Sequence, residues 1–187
     1  KKVNSLLQEA NGEDVDVYIN SPGGDVFAGS EIYTALREYT GKVRIKIVGI
    51  AASAASVVAQ AGESEISPTG MFMIHNVKTD AHGDYNDMFQ AGDTLLSANQ
   101  AIINAYLDKT GMESERLQEL MDKETYMSAQ QAVELGFVDK VMFSDSSTTL
   151  INSASGMIPE KTIKKLRNLI KNPDHDDMDF LMQKNKA

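Results

Sequence analysis

Two apolar runs that each break into a glycine turn and then a helical pattern constrain this chain more than any other feature. Val15 to Ile19 alternates Val, Val, Ile on one side and stops at Asn20-Ser21-Pro22-Gly23-Gly24. That pattern predicts a strand running into a glycine-rich turn. Gly29 to Tyr39 follows, with Ile32, Tyr33, Leu36 and Tyr39 at the spacing of an amphipathic helix, closed by Gly41. The β-branched run Val43–Val48 then leads into Gly49-Ile50-Ala51-Ala52-Ser53-Ala54-Ala55-Ser56-Val57-Val58, small residues of good helix propensity ending at Gly62. A buried strand, a tight turn and a helix start are expected there. Pro68-Thr69-Gly70 turns the chain again before a short strand, Met71 to Ile74, with His75 at its end. Strand, helix, strand, helix, strand in this order predicts crossover units, a largely parallel sheet and an α/β fold.

The flanks are simpler. Val3, Leu6, Leu7 and Ala10 have helical spacing, stopped by Asn11-Gly12. Lys1 opens directly onto this helix, which predicts that a segment precedes it, with any targeting signal. Lys78 to Asp84 is polar and reads as a loop or an exposed edge. A long helix is expected from about Tyr85 to Leu107, where Met88, Ala91, Leu95, Ala98, Ile102 and Ala105 form a heptad-like stripe. Phe89, Leu96, Ile103 and Tyr106 make a second apolar face beside it. Two faces predict two partners, the helix's own domain and a neighbouring subunit; the competing reading is a helix fully buried in one domain. Glu113 to Lys123 is a further helix, Ser128-Ala129-Gln130-Gln131 has the form of a capping box opening a short helix that Gly136 closes, and Phe137 to Phe143 is a last strand. From Ser144 the composition becomes linker-like, with a basic amphipathic pattern at 159–170 and a polar end. The expected organisation is therefore one domain over 1–143 and a linker, helix and tail over 144–187.

Composition excludes several classes of function. The chain has no cysteine, which rules out disulfides, thiolate nucleophiles and cysteine metal sites. A net charge of −9, from 27 acidic against 18 basic residues, argues against a nucleic-acid surface. No apolar run reaches the length of a membrane span. A cytoplasmic location fits these features.

Ser53 stands at a strand-to-helix junction, where the first N–H groups of the helix lack intrahelical acceptors. A hydroxyl beside such a donor is half of an acyl-transfer site, since the N–H can stabilise an oxyanion. Ser53 and Ser56 can equally be small residues that let a helix pack closely. His75 ends a strand from which an imidazole could face the neighbouring junction, or it is a satisfied polar residue there. His82, in the polar loop, and His175, in the tail, are weaker candidates. Neither His82 with Asp84 nor Asp174 to Asp177 with His175 has the spacing of a metal site, and no metal or cofactor is expected. Gly23-Gly24 lets consecutive N–H groups turn toward an anion without a Cβ in the way, and is also a good plain turn.

Taken together, Tyr18-Ile19-Asn20-Ser21-Pro22-Gly23-Gly24, Ala28-Gly29-x-x-Ile32-Tyr33, Gly49-x-Ala51-Ala52-Ser53, Met73-Ile74-His75, Thr110-Gly111 and Ser128-Ala129-x-x-Ala132-Val133-x-x-Gly136-x-Val138-Asp139 resemble, in order, the proteolytic subunit of the Clp protease, a ClpP-type serine peptidase. The resemblance covers roughly residues 5–142. It implies a ClpP/crotonase-like fold of spiralled ββα units, with the 85–107 helix as a protruding handle through which rings of subunits meet. It implies a serine endopeptidase with Ser53 as nucleophile, His75 as general base, and the backbone N–H groups of Gly24 and Ala54 as oxyanion hole. Counting from Thr110-Gly111 to Ser128-Ala129 puts the family's acid on Glu124, with Asp122 as the fallback. Glutamate is one methylene longer than the family's aspartate and demands a shifted backbone or a different rotamer. Val77 stands where the family has proline, and Ala54-Ala55 where it has methionine-glycine. These departures and the added tail resemble phage- or prophage-encoded members, which implies head maturation by cleavage of capsid or scaffold protein in the bacterial cytoplasm. The alternatives are a housekeeping subunit fed by an unfoldase ATPase, an acyl-CoA enzyme on the same broad fold, and an assembly factor whose triad Glu124 has spoiled.

Overall fold

The computed structural model describes residues 2–144; the amphipathic pattern at 159–170 and the rest of the tail lie outside the described residues. Helix α1 (Lys2–Ala10) is stopped by Asn11 and Gly12, both at positive φ. Strand β1 (Val15–Ser21) leads to α2 (Val26–Glu38), which starts three residues earlier than its apolar spacing indicates. Asp25 caps it by accepting a hydrogen bond from the Ala28 N–H at 2.7 Å.

Strand β2 (Val43–Ala52) is the spine of the sheet. Its first half runs parallel between β1 and β3 (Glu63–Ile66), and its last residues pair in parallel with β4 (Met71–Ile74). Strand β5 (Thr125–Ser128) adds antiparallel to β4, and β6 (Lys140–Val141) adds parallel to β3. Four of the five pairings are parallel, as the crossover pattern requires. The fold is mixed α/β, the expected class.

Several local expectations need correction. Strand β2 is not buried on both faces: Val43, Ile45 and Ile47 are buried, while Arg44 and Lys46 turn outward and pair with Asp14, just before β1, and Asp16 on β1. Gly49 to Ala52 is strand, so the turn falls on Ser53 itself. Strand β3 is Glu-Ser-Glu-Ile, a sequence poor in β-formers, held by its place beside β2. The expected strand over Phe137 to Phe143 shrinks to two residues. The N–H groups of Phe137 and Val138 instead both donate to the Ala132 carbonyl, closing α6 (Ala129–Glu134), and cannot join a ladder. The capping box at Ser128 and Gln131 is present in both directions.

Helix α3 (Ala54–Val58) and a 3₁₀ turn (Ala59–Ala61) are buried throughout. Under them lies a core of Ile45, Ile47, Ile66, Phe72, Ile74 and Phe137, with Phe72 tilted against the Phe137 ring and Tyr106 meeting it edge-on. Helix α4 (Tyr85–Thr110) is anchored only along its second half: Ile102, Ile103, Ala105 and Tyr106 are buried. Phe89 and Leu96 remain 72% and 67% exposed. The fully buried alternative for this helix does not hold within the described residues. Helix α5 (Ser114–Asp122) packs Leu117, Leu120 and Met121 inward and returns the chain to β5. Among the described residues no helix is long and apolar enough to cross a membrane.

Candidate active site

The site forms where the C-terminal ends of β1, β2 and β4 meet, the usual crevice of a parallel sheet. Pairing of Ala52 with Met73 sets the ends of β2 and β4 side by side, and the Ser53 N–H donates to the Met73 carbonyl at 3.1 Å. Ser53 follows β2 directly at φ 54°, ψ −128°, a conformation that costs a non-glycine residue about 1–3 kcal/mol. His75 follows β4 directly. Its Nε2 lies 2.7 Å from Ser53 Oγ.

The turn after β1 closes the third side. Gly23 has φ +103°, and a Cβ there would stand 2.6 Å from Ser53 Cβ and 2.7 Å from the Ala52 carbonyl oxygen. Only glycine lets this turn lie against the Ser53 turn. Gly29 does the same for helix packing, since a Cβ on it would come within 3.1 Å of Ala54. The small residues after Ser53 therefore serve close packing and the site together. Ala54 opens α3, so its N–H has no acceptor within that helix, and it lines one cavity of about 440 Å³ with Gly24, Ser53 and His75. The cavity's far wall is Ala91, Leu95, Ala98 and Ile102 of the heptad-like stripe on α4, with Thr94 beside them. His82 lines no part of it, and His175 lies outside the described residues. Among the described residues no group of three or more His, Asp or Glu is placed to hold a metal.

A buried polar network supports the turn from below. Ser56 Oγ donates to the Ser53 carbonyl at 2.6 Å and lies 2.7 Å from the Tyr106 hydroxyl of α4. Gln60 Nε2 donates to the Ser56 carbonyl. Burial pushes the Tyr106 phenol well above its ordinary pKa, so it stays protonated. Sequence reasoning treated Ser56 only as a small packing residue and Tyr106 only as apolar. Two polar side chains on otherwise apolar helical faces were the available signal.

The third position is arranged differently from expectation. The last β4–β5 pair is Ile74 with Thr125; His75 and Glu124 are the residues that flank it, and the Glu124 charge acts on His75. Glu124 carries φ +50° in the turn between α5 and β5. Its carboxylate nevertheless accepts a hydrogen bond from Lys78 Nζ at 2.8 Å, and His75 Nδ1 is buried with no hydrogen-bond partner among the described residues. Asp122 is engaged elsewhere, accepting from Asn76 Nδ2 and Gln118 Nε2 at 2.8 Å each. Neither carboxylate closes a triad in this arrangement.

The electrostatics follow these contacts. Burial pushes the His75 imidazole below its ordinary pKa, Lys78 pushes the same way, and Glu124 opposes both. The Lys78 hydrogen bond and charge hold the Glu124 carboxyl below the usual range, and the Asn76 and Gln118 hydrogen bonds do the same for Asp122. A neutral imidazole at hydrogen-bond distance can take the proton of a hydroxyl as that hydroxyl attacks a carbonyl. Backbone donors beside it can hold the oxyanion that results. The arrangement is equipped for acyl transfer to and from Ser53.

The chain matches the Clp protease family over residues 2–145. It is similar to an ATP-dependent Clp protease proteolytic subunit of Ligilactobacillus salivarius (strain UCC118), with 34% identity over 133 residues, 70% of this chain and 68% of that relative. The match spans every element that builds the cavity, and on it the chain belongs to the Clp protease family.

Proposed function

We propose that this chain is a serine endopeptidase in which Ser53 is the nucleophile and His75 the general base. Glu124 orients the base, and the N–H groups of Gly24 and Ala54 hold the oxyanion. The observation that carries this reading is the 2.7 Å contact between Ser53 Oγ and His75 Nε2 at the bottom of a cavity shared with both N–H donors. Supporting Glu124 over Asp122 are its position flanking the last β4–β5 pair beside His75 and its charge acting on that imidazole, whereas Asp122 is held by Asn76 and Gln118. Residues 1–143 form the catalytic unit. The substrate is a polypeptide, and subunits assemble into rings through the exposed apolar residues of α4, which include Phe89 and Leu96.

The departures at Val77, Ala54-Ala55 and Glu124 and the 144–187 extension support the narrower role of a phage or prophage head maturation protease working in the host cytoplasm on capsid or scaffold protein. The relative named above, an ATP-dependent Clp subunit, supports instead a partnership with an unfoldase. Co-expression with capsid and scaffold proteins, beside co-expression with an unfoldase, separates the two by which one yields cleavage.

Labelling with a fluorophosphonate probe, followed by mass mapping, tests the chemistry. Modification at Ser53 that is lost in Ser53→Ala is the expected result. A folded, assembled protein that takes no label would sink the peptidase reading and favour an assembly factor.

A further inference from the structure

The Nδ1 of His75, buried and without a hydrogen-bond partner among the described residues, and the engaged carboxylate of Glu124 belong to one problem. A base that accepts the Ser53 proton at Nε2 must carry its own proton on Nδ1, and an acceptor at Nδ1 is what selects that tautomer. Without one, the Nε2–H tautomer competes and donates to Ser53 Oγ, which is the unproductive direction. The acceptor that flanks the last β4–β5 pair beside His75 is Glu124, and Lys78 holds it.

Lys78 is itself part of the site. It lies three residues after His75, lines the same cavity as Ser53, and presents its ammonium to Glu124 Oε2 at 2.8 Å. The pair is open to solvent, with the Lys78 side chain 65% exposed and that of Glu124 43%. Exposed pairs of this kind are weak and exchange readily. Among the described residues the other charged groups around His75 do not offer an alternative acceptor. Asp25 and Asp80 line the cavity without a hydrogen bond to the imidazole, and Asp122 is tied to Asn76 and Gln118.

We infer that Lys78 is a positioning residue that acts through Glu124: it competes with His75 Nδ1 for that carboxylate and so sets how much of the protein carries a completed triad. The inference rests on the peptidase reading for its importance, but the competition itself is a property of the three side chains. It assigns a function to a cation in the loop after β4, where the sequence shows only polarity. It also gives the acid of the triad two states, Lys78-bound and His75-bound, divided by a small free-energy difference.

The test is the titration of His75 in the intact chain, followed by NMR of ¹³C-labelled histidine imidazoles. The chain has three histidines, and His82→Gln and His175→Gln assign the remaining signal. In the wild type His75 should titrate below the ordinary value of about 6.5. Lys78→Met should raise it by about one pH unit, as expected when a cation leaves and a carboxylate arrives. Lys78→Gln should reproduce the rise, and Lys78→Arg should leave His75 near its wild-type value. In a Glu124→Gln background the same Lys78→Met change should give less than half the rise, because only the cation's own field is then removed. The acid limb of the peptidase pH profile should move with the NMR value. An equal rise in both backgrounds, or none in either, would overturn the inference. If the rises follow the expected pattern while Ser53 takes no fluorophosphonate label, the Lys78 assignment holds and the peptidase reading falls.

Discussion

Removing the hydroxyl of Ser56 should destabilise this protein more than removing the hydroxyl of Tyr106, although each loses the same 2.7 Å contact. In Tyr106→Phe, Ser56 Oγ keeps its 2.6 Å bond to the Ser53 carbonyl, so one hydrogen bond is lost and no group is orphaned. That costs about 1 kcal/mol. In Ser56→Ala, the Ser53 carbonyl still accepts the Ser56 N–H at 2.9 Å, but the Tyr106 hydroxyl is left on a side chain that is 1% exposed. A buried, unsatisfied polar group costs about 1–3 kcal/mol. The double variant Ser56→Ala/Tyr106→Phe removes both the bond and the orphan, so it should be no less stable than Ser56→Ala alone. The coupling between the two changes is then of the order of 1 kcal/mol and compensating. Equilibrium urea unfolding followed by circular dichroism, at one fixed protein concentration so that any self-association acts equally on each variant, measures all three. Thermal midpoints should follow at about 2–4 °C per kcal/mol for a domain of this size. If Tyr106→Phe proves the more damaging, or the double variant is the sum of the singles, the network does not bear on α3 in the way described.

Two further outcomes follow from the geometry of the turn and of the sheet edge. Gly23→Ala should cost about 2 kcal/mol or more, from positive φ and overlap with Ser53 together. Gly24→Ala, whose Cβ would meet no atom within 4 Å, should cost less, and urea midpoints that rank the two the other way would show that the turn has room to move. Asp139 accepts from the Ser64 N–H, the Ser64 hydroxyl and Lys109; burial pushes its carboxyl up, but these partners together hold it below the usual range. Its contribution to stability is therefore complete above its unfolded pKa of about 4 and is lost as pH falls through the lower folded value. The stability gap between wild type and Asp139→Asn should close below about pH 4, and a gap unchanged at pH 2 would reject that account.

What could be read from the sequence was what depends on neighbours in the chain. Asn11-Gly12, the Ser128 capping box and the crossover order are local or periodic, and the structure has them where the pattern puts them. Ser53 and His75 were singled out by residue type and place, but their meeting depends on β4 pairing with the end of β2, which no local signal encodes. Strands β3 and β5 are four residues each and owe their form to the strands beside them, so their own composition says little. Lys78 and Glu124 are 46 positions apart and come together only because β5 returns antiparallel to β4. Spacing could nominate Glu124. It could not show that a lysine already occupied it.

Helix α4 joins two very different environments within one continuous hydrogen-bonded rod. At about 1.5 Å per residue its 26 residues span about 39 Å, and only the second half rests on the core. Amide exchange should therefore fall steeply along it, from turns near Tyr85 that open on their own to turns near Tyr106 that open only with the whole domain. The capping box at Asp84 and Asp87 closes the free end, which is where fraying would otherwise begin. The residues that form the far wall of the cavity, Ala91 to Ile102, fall across the change in slope. The rigidity of this cavity wall is thus set by the free half of a helix whose other end is fixed beneath the Ser53 turn.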